Sequence, residues 1–245
     1  MDKAARDRIM TRLSQTERGH FRHFIQEVHT RTAVSGLRVT ARQVLTSQDR
    51  TVSPALRAAL EAVVARDEMG PRVGTYPPDF CLKRLGTAER VRLSSFQGQR
   101  PVALVFGSYT CPPFRAQVGR MEDIYRPYRD HIAFFVVYVQ EAHPTDGWQT
   151  DRNVAEGILF RQHQRYAERE VVATTCSLDL HLSIPVLVEE MDNAIDEAYG
   201  AAPERLYLVG ADGRVAYHGG AGPHFFDLDT WEQAIAAGVR AVAAL

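Results

Sequence analysis

Cysteine is scarce in this chain: three residues in 245, Cys81, Cys111 and Cys176. That is too few for a disulfide framework, and their spacing is not that of a zinc site, so no metal is expected. Long apolar runs are missing as well. No stretch approaches the ~20 residues that cross a bilayer, and the opening Met1-Asp2-Lys3-Ala4-Ala5-Arg6 is charged where a signal peptide would be apolar. A cytoplasmic protein without a membrane partner is the expectation. An excess of one charge is absent too. Lys and Arg number 29 against 30 Asp and Glu, a net charge of −1 that gives no reason to expect nucleic acid. What remains, 45% apolar and 24% charged, is the composition of an ordinary soluble globular protein.

Two segments differ in character. Residues 1–70 carry helical signals alone. Phe21, Phe24, Ile25 and Val28 recur at helix spacing. Ser53 followed by Pro54 is an N-cap with proline at the first helical position, and Leu56, Leu60, Val63 and Val64 then share a face. The polar run Thr46–Ser53 between them reads as a connection. At Gly70-Pro71 and Tyr76-Pro77-Pro78 the punctuation changes, which divides a helical N-terminal extension, 1–70, from a second unit, 71–245. Arg, Glu and Gln interrupt the apolar positions of the extension. It therefore suits packing on the second unit or on another copy of the chain, and a homodimer is one expectation.

In 71–245 strands and helices alternate. Val102–Phe106 reads as a strand, Pro113 to Asp130 as a helix bent at Pro127, and Ile132–Val139 as a strand of a sheet centre. A helix over Val154–Arg169 comes next, then a short strand Ile184–Val188. Arg205–Val209 and Arg214–His218 form a hairpin around Asp212-Gly213, and Trp231–Leu245 closes the chain as an amphipathic helix. The order βαβ then ββα, with a cysteine after the first strand, resembles the thioredoxin fold. The expected class is α/β, thioredoxin-like, and the cadence from Asp79-Phe80 to Phe96 is similar to the opening of a peroxiredoxin.

The first strand runs into Gly107-Ser108-Tyr109-Thr110-Cys111-Pro112-Pro113-Phe114. A thiol at a helix N-terminus meets unpaired backbone N–H groups and a dipole that favour negative charge. That lowers its pKa below the free value near ~8.5 and enriches the thiolate, the form that attacks. Phe114 stands where the thioredoxin turn has its second cysteine, so a simple local dithiol cycle is excluded. Turnover then needs Cys81, Cys176 or an outside thiol. Cys176 is the candidate resolving residue, with a buried packing role as the other reading; Cys81 reads as packing. The fold's second mark is a cis-proline facing the thiol, and Ile184-Pro185-Val186 fits that place, which makes Pro185 a substrate-contact candidate. The loop Gln140–Trp148 leaves the C-terminal end of the central strand, where open α/β sheets bind ligands. Its His143 offers an imidazole near neutral pH; a capped turn with a packing tryptophan is the alternative.

Three segments resemble the iodothyronine deiodinase family. They are Phe106-Gly107-Ser108-Tyr109-Thr110-Cys111-Pro112, Glu141-Ala142-His143-Pro144-Thr145-Asp146-Gly147-Trp148 and Pro203-Glu204-Arg205-Leu206-Tyr207. The family patterns are F-G-S-x-T-U-P, with U for selenocysteine, E-A-H-x-S-D-G-W and P-E-R-L-Y. Arg161-Gln162-His163-Gln164, expected inside the helix after the loop, is similar to the family's R-x-H-Q. The resemblance implies Cys111 as the attacking atom in place of selenium. It implies His143 and His163 as groups that handle protons or hold substrate, and Glu141, Trp148 and Arg205 as residues that shape the pocket or anchor an anion. For Arg205 a sheet-edge ion pair is an equal reading. Tyr109 and Ile184 stand where several members carry auxiliary cysteines. The implied activity is that of an oxidoreductase: reductive dehalogenation of an iodinated aromatic, with an external thiol reductant and no bound cofactor. A peroxiredoxin-like thiol peroxidase and a non-catalytic thioredoxin-fold binding module are the alternatives.

Overall fold

Two apolar runs, Val102–Gly107 and Ala133–Tyr138, pair in parallel at the middle of the sheet in a computed structural model of the protein, which describes residues 8–35, 39–47, 52–222, 225 and 227–243. In chain order the elements are α1 Gln15–Ser35, α2 Ala41–Ser47, α3 Pro54–Asp67, β1 Cys81–Arg84, β2 Arg90–Arg92, β3 Val102–Gly107, α4 Pro112–Tyr128, β4 Ala133–Tyr138, α5 Asp151–Glu156, α6 Tyr166–Asp179, β5 Val186–Val188, α7 Ala194–Tyr199, β6 Arg205–Val209, β7 Val215–His218 and α8 Leu228–Ala243. The sheet order is β2-β1-β5-β4-β3-β6-β7. Strands β3, β4 and β5 are parallel; β6 runs antiparallel to β3, and β7 to β6.

Every residue of β3 and β4 is buried because both sheet faces are covered. The period of two sorts them. Ala103 and Val105 join Phe114, Met121, Cys176 and Trp231 on one face, while Val102, Leu104 and Phe106 meet Phe135, Tyr199 and Tyr207 on the other. Trp231 of α8 is fully buried, and its indole N–H donates to Tyr207 O at 3.0 Å, so its one polar atom is satisfied.

Helices α1–α3 build a further core from Phe24, Ile25, Val28, Val44, Leu56 and Leu60, which Ala221 and Phe225 from the loop after β7 complete. Ser53 caps α3 as expected, accepting from Leu56 N at 3.1 Å. Polar ties cross the expected boundary at residue 70. Arg66 pairs with Asp196 at 2.8 Å, Asp67 accepts from Ala221 N at 3.2 Å, and the buried Arg205 donates to Met69 O and Arg66 O at 2.7 and 2.5 Å. Gly70 sits at φ 93, where a Cβ would lie 2.1 Å from the Tyr207 hydroxyl, so only glycine fits this crossing.

The structure departs from the sequence reading at several places. The polar connection after Thr46 is shorter than expected, since Thr46 and Ser47 close α2; residues 48–51 lie outside the described residues. Pro127 falls in the last turn of α4, close to where the helix ends anyway. The expected helix over 154–169 is two helices. Gly157, left-handed at φ 70, stops α5, and an extended stretch carries His163 to α6. Helix α7 carried too short an apolar pattern to be read. The cis bond is Ala202-Pro203, and Ile184-Pro185 is not cis. The reason is topological. Strand β5 is parallel to β4 and starts at the sheet end opposite the thiol, whereas β6 is antiparallel to β3 and pairs Arg205 with Phe106, so the residues before it face Cys111.

Candidate active site

The turn between β3 and α4 is held from three sides. Cys111 is the N-cap of α4, with Pro112 at the first helical position, and its own N–H donates to Ser108 O at 3.1 Å. Gly107 has no room for a side chain, since a Cβ would meet the Phe114 ring at 2.4 Å. That ring, fully buried, fills the place of a second thiol. Arg115 donates to Tyr109 O at 2.6 Å and to Asn153 Oδ1 at 2.9 Å, and Asn153 Nδ2 donates to Thr110 O at 2.8 Å.

Glu141 organises the other side. Its Oε2 accepts from Thr110 N at 2.8 Å and Thr110 Oγ1 at 2.5 Å; its Oε1 accepts from the Tyr138 hydroxyl. His163 Nε2 lies 3.4 Å from the same Oε1, at ion-pair range but without hydrogen-bond alignment. Burial alone would push the Glu141 carboxyl up, yet His163, Thr110 and Tyr138 together outweigh it and hold the carboxyl below its usual range. An ionised carboxylate buried behind the turn fixes Thr110, the residue before the thiol. Thr110 Oγ1 in turn accepts from His143 N at 3.0 Å, and Ser108 Oγ accepts from Ala142 N at 3.0 Å, so the two loops lock together.

Cys111, His143 and Trp148 line one cavity of about 360 Å³, together with Pro203. The ring of His143 stands edge-on to Trp148 at 4.6 Å, and its Nδ1 lies 3.0 Å from Trp148 O. A carbonyl only accepts, so in the neutral ring Nδ1 carries the hydrogen and Nε2 is the nitrogen that gains or gives a proton. Cys111 itself is fully buried at the cavity wall.

The remaining sequence candidates lie elsewhere. Glu141 and His163 stand behind the turn and do not line the cavity. Pro185 lines a different pocket with Tyr125, Ile132 and Phe134 at the opposite end of the sheet, which corrects its assignment as a substrate contact. Arg205 is neither an anion anchor nor a sheet-edge ion pair; it is buried and donates to backbone carbonyls in the last turn of α3 and just after it, Arg66 O and Met69 O. Cys176 is buried in α6, where burial and then the Glu141 charge push its thiol far up, an environment opposed to a resolving thiolate. Among the described residues no group of three His, Cys, Asp or Glu side chains could hold a metal.

Sequence reasoning missed three parts of the site: Pro203, the clamp made by Arg115 and Asn153, and the wall that Met10, Phe21 and Ile25 contribute. Only Pro203 left a signal, as the first residue of the Pro203–Tyr207 segment, two residues ahead of the strand that pairs with β3.

The chain is similar to known proteins in fold and in sequence. A solution structure of a candidate protein disulfide isomerase from Bacteroides thetaiotaomicron superposes with a TM-score of 0.50 at 18% identity, covering 69% of this chain and 91% of that one, a likeness of fold. The type II iodothyronine deiodinase of Fundulus heteroclitus is 36% identical over 165 residues, 65% of this chain and 60% of that protein. The thyroxine 5-deiodinase of Gallus gallus is 36% identical over 163 residues, 65% of this chain and 61% of its own length. The chain thus spans about three fifths of these curated relatives. The family model for iodothyronine deiodinase matches residues 14–235, a span that includes α1–α3 as well as the sheet, and the chain belongs to the iodothyronine deiodinase family.

Proposed function

We propose that the protein is a thiol-dependent oxidoreductase that removes iodine from an iodinated aromatic of the iodothyronine type. The observation that carries the reading is one cavity holding a helix-capping thiol beside a histidine whose Nε2 is the proton-exchanging nitrogen. The Cys111 thiolate attacks iodine, the carbon–iodine bond breaks, and the ring carbon takes a proton from His143. Cysteine sulfur is then a sulfenyl iodide. A first external thiol displaces iodide as a mixed disulfide; a second releases Cys111 and leaves as the oxidised disulfide. The sum is aryl iodide plus two thiols giving arene, disulfide, iodide and a proton. Pro112 at the helix start and the ionised Glu141 hold the turn in place without touching the reacting atoms.

Iodide release measured with 3,5-diiodothyronine-type substrates and dithiothreitol tests this. Wild type is expected to turn over and Cys111→Ser to lose release entirely. Release by Cys111→Ser, or peroxide consumption by wild type with no iodide from any iodoaryl substrate, would overturn it, the second result in favour of a thiol peroxidase.

A further inference from the structure

A second cleft opens at the end of the sheet opposite Cys111, where the β1–β2 hairpin, the turn before β3 and the end of α4 meet the first residues of β4. It shares no lining residue with the thiol cavity. Five arginines line it, Arg84, Arg90, Arg92, Arg100 and Arg129, against one carboxylate, Glu89. Five less one leaves four positive charges in excess, on a chain whose net charge is −1. Three of the arginines are matched by an acid. Arg84 pairs with Glu89, Arg90 with Glu190 and Arg92 with Asp79, each at 3.1 Å. Arg100 and Arg129 differ: both are exposed, and among the described residues neither has a carboxylate in ion-pair range. The Arg100 guanidinium lies instead over the Phe96 ring, 5.6 Å from its centroid. Like charges gathered in one cleft repel each other, and an anion relieves that repulsion.

The rest of the lining is largely aromatic. Phe96 packs on Phe135 with ring centroids 5.7 Å apart, and Tyr125 on Phe134 at 5.3 Å. In each pair the outer ring, Phe96 or Tyr125, is half-buried and the inner one is buried. A guanidinium without a carboxylate partner can grip a phosphate through two parallel N–H···O bonds, and aromatic surface beside it takes a flat ring. The space, about 260 Å³, falls just short of the ~300–1,000 Å³ of drug-sized sites and suits one ring system with its anionic group. We propose that this cleft is a second ligand site that takes a small aromatic phosphate of the nucleoside monophosphate kind, with Arg100 and Arg129 meeting the phosphate and Phe96 and Tyr125 the base. The site goes beyond the deiodination reading and stands without it.

Isothermal titration calorimetry of the full chain with adenosine 5′-monophosphate, inorganic phosphate and adenosine tests the assignment. The nucleotide is expected to bind about tenfold more tightly than phosphate, and adenosine more weakly than either. Arg100→Gln and Arg129→Gln, both at exposed positions, are each expected to weaken nucleotide binding about tenfold, the worth of one charged hydrogen bond. Phe96→Leu is expected to weaken the nucleotide several-fold and leave phosphate unchanged. Arg126→Gln makes the same charge change on α4 outside the cleft and should leave both affinities as they are. No nucleotide binding by wild type, or an affinity that neither Arg100→Gln nor Arg129→Gln changes, overturns the site. Equal affinity for nucleotide and phosphate overturns the aromatic class of the ligand. Iodide release enters none of these readouts, so the outcome is independent of what Cys111 does.

Discussion

Glu204 comes directly after the cis-proline and is 1% exposed. Its Oε1 is 3.4 Å from Gln117 Nε2, and its Oε2 has no hydrogen-bond partner. Burial, opposed by no nearby cation, pushes its carboxyl from 4.5 up to about 8. Below 4.5 both folded and unfolded chains hold the proton. Between 4.5 and about 8 the unfolded chain has released it and the folded chain has not, so stability falls with rising pH by about 1.4 kcal/mol per pH unit. The gap, about 8 less 4.5, corresponds to roughly 5 kcal/mol at most, and relaxation around the ionised group brings that to roughly 3–5 kcal/mol. Against a usual stability of ~5–15 kcal/mol this is a large share. Glu204→Gln carries no such linkage. Urea midpoints measured from pH 4.5 to pH 8.5 are expected to coincide for wild type and variant at the acid end and to diverge with pH, the variant being the more stable above pH 7. A difference that is constant across the range would refute the reasoning and mean that the carboxyl is ionised in the folded protein.

Two further outcomes concern the site. His143→Ala is expected to lower iodide release by ~10²–10⁴-fold, the usual worth of a general acid, while Cys111 alkylation by iodoacetamide stays within a few fold; near-normal release would make the Glu141–Trp148 loop a structural turn and pass the proton to another group. Glu141→Gln removes a charge that Thr110 and Tyr138 bond to and should cost about 1.5–3 kcal/mol at pH 7 by urea midpoint. Because the Glu141 carboxyl is held low in the folded chain, its contribution is present above the ordinary carboxylate range and fades as pH falls through it, so wild type and variant should converge in acid.

The central strands were legible because burial on both faces leaves an unbroken apolar run, and Ala133–Tyr138 has no other comfortable home. The thiol turn and the Glu141–Trp148 loop were legible as chemistry in a recognisable order. Placement was harder. Pro185 and Pro203 each precede a late strand, and only the direction of that strand relative to β3 decides which one faces Cys111. The stretch around His163 has helix-tolerant residues, but Gly157 ends α5, and burial of His163 next to Glu141 holds the chain extended up to α6. For α1 and α3 the spacing announced an apolar face. Periodicity says that a face is covered and is silent about what covers it, so Phe21 and Val63 gave no hint that they look onto a thiol.

Phe114 has a kinetic consequence. With a packed phenyl ring in the turn where a partner thiol would sit, Cys176 buried in an environment hostile to a thiolate, and Cys81 in β1, separated from β3 by β4 and β5, the proposed deiodination would leave the iodinated sulfur waiting for a visitor. That visitor arrives at the same chamber the aromatic ring has just occupied. The two reactants would therefore take turns, in a ping-pong rhythm, each cycle stalling until reductant enters. Parallel double-reciprocal plots are the signature of that order. On that proposal, under scarce thiol the throughput of the protein would gauge the surrounding reducing power rather than the supply of iodinated compound.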